Sequence, residues 1–172
     1  RALTDRPFGV DTLLPVRMME GDGGGGPVTW EIPEAHAQFA EDFRTRHDLP
    51  PAQTMAPLFD QAFIDRQMEV VLDLEVPVYV AGLGDPGPYI DRLHAKGITV
   101  GSVVGATRHA ERALASGVDF VVAQGHDGGG HNSRIGTMAL IPQVVDAVAG
   151  RVPVLGAGSI MDGRSLVAAL AL

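Results

Sequence analysis

A chain of 172 residues with 45% hydrophobic and 20% charged residues is long enough for one domain with a sizeable core. Its formal charge of −8, with no basic cluster interleaved with aromatics, excludes a general nucleic-acid surface, and no run of about 18 apolar residues is present to cross a bilayer. Six histidines, no cysteine and no signal-peptide pattern at the start make the expectation a cytoplasmic protein with neither nucleic-acid nor membrane partners.

In chain order, the first apolar run is Phe8 to Leu14, read as a strand. Residues 15–75 are less regular: Asp22 to Pro27 reads as a flexible loop, Glu34 to Arg46 as a helix, and Asp65 to Asp73 as another. The bland reading of this region is a long decorated connection. From Val76 onward the pattern repeats. Val76 to Ala81, Ile98 to Val104, Val118 to Ala123 and Val152 to Ala157 are apolar without clean alternation, which suits parallel strands covered on both faces. Between them, "PYIDRLHAKG", "GATRHAERALASG" and "IPQVVDAVAG" carry helical spacing, with Gly97 as a stop for the first. Strand and helix units repeated in this way leave two architectures, the closed eight-fold barrel and the open doubly wound sheet. Arg1 opens the chain without an initiator Met, and "DGRSLVAALAL" is still helical in pattern at Leu172, so the sequence reads as a piece of a longer protein.

The stretch "VVAQGHDGGGHNS", residues 121–133, carries the chemistry. Gly128, Gly129 and Gly130 follow a strand's carboxyl end, where either architecture holds its site; they form a plain turn or a backbone that lets an anion or a flavin edge approach. His131, with an ordinary pKa near 6.5, is a proton acceptor at neutral pH or a polar surface residue. His126, Asp127 and His131 match no strong metal spacing, and no metal is expected. In "PVLGAGSIMDG", residues 153–163, the third glycine falls too late for a dinucleotide fingerprint, although the amides of Gly158 and Ser159 and the following helix N-terminus suit a phosphate. "GDGGGG" at 21–26 lacks the Gly-Lys-Ser/Thr ending of a triphosphate loop.

Taken together, "RPFGVD" at 6–11, "VVAQGHDGGGH" at 121–131 and "PVLGAGSIMDGRSLVAALAL" at 153–172 resemble the nitronate monooxygenases, formerly called 2-nitropropane dioxygenases, and the related FMN-dependent enoyl-acyl-carrier-protein reductases. The resemblance implies a flavin-binding (β/α)8 TIM barrel, of which the five strands here are the third to the seventh. Residues 1–172 are then an incomplete FMN-binding TIM-barrel domain, truncated at both ends. Carried over by position, the family's Asn after "PFGV" falls on Asp11, a departure, because a carboxylate accepts hydrogen bonds but does not donate them. The flavin-contacting Gln and Gly fall on Gln124 and Gly129, with Gly130 beside them, and the catalytic His falls on His131. The paired glycines after the seventh strand fall on Gly158 and Ser159, the second a departure; serine keeps the amide, but a positive φ would not come free. The implied activity is FMN-dependent oxidation of small alkyl nitronates or nitroalkanes by molecular oxygen. An FMN-dependent enoyl-thioester reductase and a non-catalytic fragment retaining only the fold are the alternatives.

Overall fold

A computed structural model describes residues 6–14, 32–51, 61–130 and 132–172. Five strands, β1 (Gly9–Leu13), β2 (Val78–Leu83), β3 (Thr99–Val104), β4 (Phe120–Gln124) and β5 (Val154–Ala157), form one parallel sheet whose order follows the chain. The helices among the described residues are α1 (Glu34–Arg46), α2 (Gln61–Asp73), α3 (Gly87–Ala95), α4 (Thr107–Ser116), α5 (Thr137–Val148) and α6 (Gly163–Leu170). Strands added one by one in chain order are the plan of a barrel; a doubly wound sheet would reverse its order at a switch point. Asp22 to Pro27, and most of the stretch around it, lie outside the described residues.

The expected strands begin one or two residues late at β2 to β5, and at the first three of these the helix ends explain why. Val76, Ile98 and Val118 are buried, yet their amides turn back to the carbonyls of Val71, Leu93 and Ala113 at 3.4, 3.1 and 3.3 Å. Each is the apolar plug after a left-handed residue that ends a helix: Glu75 at φ 46°, Gly97 at 70° and Gly117 at 92°. Apolar residues at these positions therefore serve the helix end before the sheet begins. α2 starts four residues before the expected Asp65, where the Gln61 side chain donates to Asp65 Oδ1 at 2.7 Å and to the Tyr89 hydroxyl at 2.8 Å.

Side chains alternate between the two faces of the sheet. Tyr79, Ala81, Val100, Ser102, Val104, Val121 and Ala123 are buried, and with Met68, Leu93, Leu140, Val144 and Val148 they form the layer between sheet and helices. The opposite face carries Asp11, Val80, Val103, Val122 and Gln124, none of them buried. Low on this face the Phe120 ring lies across Gly101, where a Cβ would stand only 2.3 Å from it. The five-stranded sheet thus has a filled outer layer and an open inner face.

Candidate functional site

The carboxyl end of β4 is built around close backbone approach. After Gln124 the chain turns through Gly125, whose missing Cβ would stand 2.3 Å from the Thr137 amide nitrogen and 2.4 Å from its Oγ1. The Gly128 amide then closes onto the Gly125 carbonyl at 3.2 Å, and Gln124 Nε2 donates to the Gly129 carbonyl at 3.4 Å. Gly129 and Gly130 differ from these two. Among the described residues nothing lies within 4 Å of where a Cβ would be at either, and Gly130 has φ 71°. An open, side-chain-free backbone of this kind fits a planar ring edge or an anion. His131 lies outside the described residues.

Beside this loop, β5 ends in Gly158 and Ser159. Gly158, at φ 105°, packs so tightly that a Cβ would meet Thr137 Oγ1 at 2.6 Å and the Gly128 amide nitrogen at 3.0 Å. Ser159 adopts φ 53°, the left-handed conformation that glycine would take without strain, and its hydroxyl reaches the Asp127 carbonyl at 3.5 Å. The helix N-terminus behind this turn is already filled. Asp162 accepts the Arg164 and Ser165 amides at 3.0 and 3.1 Å, while the Ser165 hydroxyl accepts the Met161 and Asp162 amides at 2.9 and 3.0 Å. A phosphate at Gly158 and Ser159 therefore has the turn to bind it, with the first α6 amides occupied by the helix's own cap.

Asp11 sits deeper on the open face. Its row runs through Val80 and Gly101 to Phe120, four residues before Gln124. The carboxylate leans over Gly82, where a Cβ would stand 2.4 Å from Oδ1, and accepts that residue's amide. Partial burial pushes its pKa up against the lowering effect of the amide. Asp11 and Gln124 thus share the open face, whereas Gly129, Gly130, Gly158 and Ser159 gather at its rim.

Thr137, which has no role in the sequence reading, and Asp127, which has one only at the level of the motif, hold this rim together. Thr137 is 1% exposed and its hydroxyl donates to the Ala157 carbonyl at 3.3 Å. Asp127, weighed in the sequence as a metal ligand and standing one position after the place of the acidic residue that the resembling family carries behind "QG", accepts the Thr137 amide at 2.7 Å and faces His126 Nε2 at 3.2 Å. The Thr137 amide is the main force holding its carboxyl below the usual range, with the Thr137 hydroxyl and His126 adding to it. The signal available in the sequence was Gly136, a helix start with no side chain to cap it.

A model of the nitronate monooxygenase family matches residues 1–172. A Mycobacterium tuberculosis protein, Rv1533, which carries a provisional monooxygenase name, is 35% identical over 97% of this chain and 47% of its own length. From the same organism, (3aS,4S,5R,7aS)-5-hydroxy-7a-methyl-1-oxo-octahydro-1H-indene-4-carboxyl-CoA dehydrogenase is 39% identical over 64% of this chain and 32% of its own. Among solved structures, the nitroalkane oxidase of Streptomyces ansochromogenes superposes with a TM-score of 0.76 at 29% identity, covering 99% of this chain and 48% of that one. The chain spans about half the length of Rv1533 and of the nitroalkane oxidase, and its parallel sheet is part of a TIM barrel. It belongs to the nitronate monooxygenase family.

Proposed function

We propose that the whole protein oxidises alkyl nitronates or neutral nitroalkanes with FMN and molecular oxygen. The observation that carries this reading is the open backbone of Gly129 and Gly130 at the carboxyl end of β4, beside the Gly158–Ser159 turn, in a chain of this family. When bound, FMN supplies the electron transfer and the reaction with oxygen. Gln124, Gly129 and Gly130 are assigned to its ring side, Gly158 and Ser159 to its phosphate, and Asp11 to a contact from the inner face. Asp11 enters that contact as an acceptor when ionised and as a donor when protonated, and its raised pKa favours the protonated form more than an ordinary carboxylate does.

His131 is assigned the proton. A neutral nitroalkane must lose a proton from the carbon bearing the nitro group before it is oxidised, whereas a nitronate has already lost it. Replacing His131 by Ala is therefore expected to slow turnover of a neutral nitroalkane by roughly 10²- to 10⁴-fold and to leave nitronate turnover far less affected. Oxygen uptake with each substrate is the measurement. Equal, severe losses on both would assign His131 to binding or folding, and no loss on either would remove it from the chemistry.

A second reading, FMN-dependent enoyl-thioester reduction, draws on the relative whose name states a carboxyl-CoA dehydrogenase. Oxidation of a reduced nicotinamide that depends on an enoyl thioester, without oxygen uptake on a nitronate, would favour it.

A further inference from the structure

We infer that Asp127 is a positioning residue that clasps the glycine loop after β4 to the turn after β5, and so sets the shape of the cofactor rim. The inference rests on the FMN reading above. α5 begins at Gly136 with no capping side chain of its own, and the acceptor for its first amide comes instead from Asp127, ten residues upstream. A local Ser, Thr or Asp cap would satisfy the helix without touching any loop. Here the helix cap and the loop conformation are one contact, so the glycine turn from Gly125 to Gly130 is pinned at its middle. The pin extends to β5. Thr137, held by Asp127 through its amide, bonds the Ala157 carbonyl through its hydroxyl, and Gly158 packs against Thr137 and Gly128 with no room for a side chain. Ser159 closes the circuit on the Asp127 carbonyl. His126, on the far side of the carboxylate, supplies a second donor when its ring carries a proton on Nε2.

Asp85 provides an internal control. It also accepts a helix-start amide, from Gly87 at 2.9 Å, and a hydroxyl, from Ser116 at 2.8 Å, but it ties α3 to α4 and touches neither rim loop. The experiment is an FMN fluorescence titration, with thermal melts, on the whole protein and its D127A, D127N, T137V and D85A variants. D127A is expected to weaken FMN binding about 10- to 100-fold, as loss of a residue supporting a contact layer commonly does. Asn retains an acceptor oxygen, so D127N should stay within about threefold of the parent. D85A should lower the melting temperature while keeping FMN affinity within about threefold, since its contacts serve other helices. Should D127A not fold, T137V decides: it keeps the amide on Asp127 and loses both hydroxyl interactions, with the Ala157 carbonyl and with the Asp127 carboxylate, with an expected affinity loss of about threefold to tenfold. Parent-like binding by a folded D127A overturns the inference, as does an affinity loss in D85A that matches D127A at equal loss of melting temperature. Unchanged affinity in T137V overturns it where D127A is lost. A parent protein that takes up no FMN overturns the cofactor reading itself, and the inference falls with it.

Discussion

The β3–α4 and β5–α6 units follow the same plan and meet different fates. α4 presents little apolar surface, mainly Ala110 and Ala113, yet both are buried, at 0% and 4% exposure. α6 is richer, with Leu166, Val167 and Leu170, and these stand 51%, 67% and 78% exposed. β3 has a strand on each side; β5 has β4 on one side only among the described residues. α1 also has no buried residue, and among the described residues Phe39 meets the tilted ring of Phe43, with centroids 6.2 Å apart. Residue type thus determines what a segment can bury, and its neighbours determine what it does bury. The rim loops sit at the boundary between these regimes, because Asp127 and Thr137 join the packed β4–α5 unit to the half-covered β5.

The largest expected effect tests that contrast directly. Leu140 in α5 is fully buried, and Leu140→Ala should destabilise the protein by about 2–5 kcal/mol in chemical denaturation. Within these 172 residues Leu170 is 78% exposed, and Leu170→Ala in this chain should change stability by no more than about 0.5 kcal/mol, the usual range for an exposed position. A large loss at Leu170 would break the comparison and place α6 against a surface that these contacts do not include.

Glycines of the β4 loop offer a second, smaller contrast. Gly125→Ala drives a methyl into the Thr137 backbone, which cannot yield without moving the start of α5, and should cost about 1–3 kcal/mol. At Gly129 the same methyl enters open space, so stability should hold. FMN affinity should nevertheless fall in Gly129→Ala, because that space is the one assigned to the ring. A methyl tolerated in both respects would move the ring away from Gly129 and leave the packing argument at Gly125 intact.

The sheet was legible in the sequence because parallel strands buried by a helix layer announce themselves as short apolar runs, and because Gly97 and Gly117 mark helix ends. The runs overstated the strands at Val76, Ile98 and Val118 for a local reason: a helix-ending plug and a strand residue are both apolar, and periodicity does not separate them. The glycine loop was legible as a place of close approach. Which glycines serve packing and which remain open was not, since Gly125 and Gly129 differ only in what another part of the chain brings against them. The same holds for Asp127. Capping signals are sought within a few residues of a helix start, and a carboxylate ten residues away across a glycine turn carries no local mark.

The smallest expected effect concerns Ser159, where two forces oppose each other within the β5 turn. A side chain at φ 53° carries left-handed strain of about 1–2 kcal/mol, and glycine at that position would relieve it while losing more backbone entropy on folding. Against this stands the hydroxyl contact to the Asp127 carbonyl, long at 3.5 Å and exposed, so its net contribution is at the low end for a hydrogen bond. The strain term is the larger. Ser159→Gly should therefore raise stability by about 0.5–1 kcal/mol, visible as an increase of a few degrees in a thermal melt. FMN affinity should hold, because the backbone amide assigned to the phosphate is retained. A fall in melting temperature would reverse the ranking and make the Ser159 hydroxyl a working part of the clasp between the two rim loops. A fall in affinity alone would assign the hydroxyl, rather than the amide, to the phosphate.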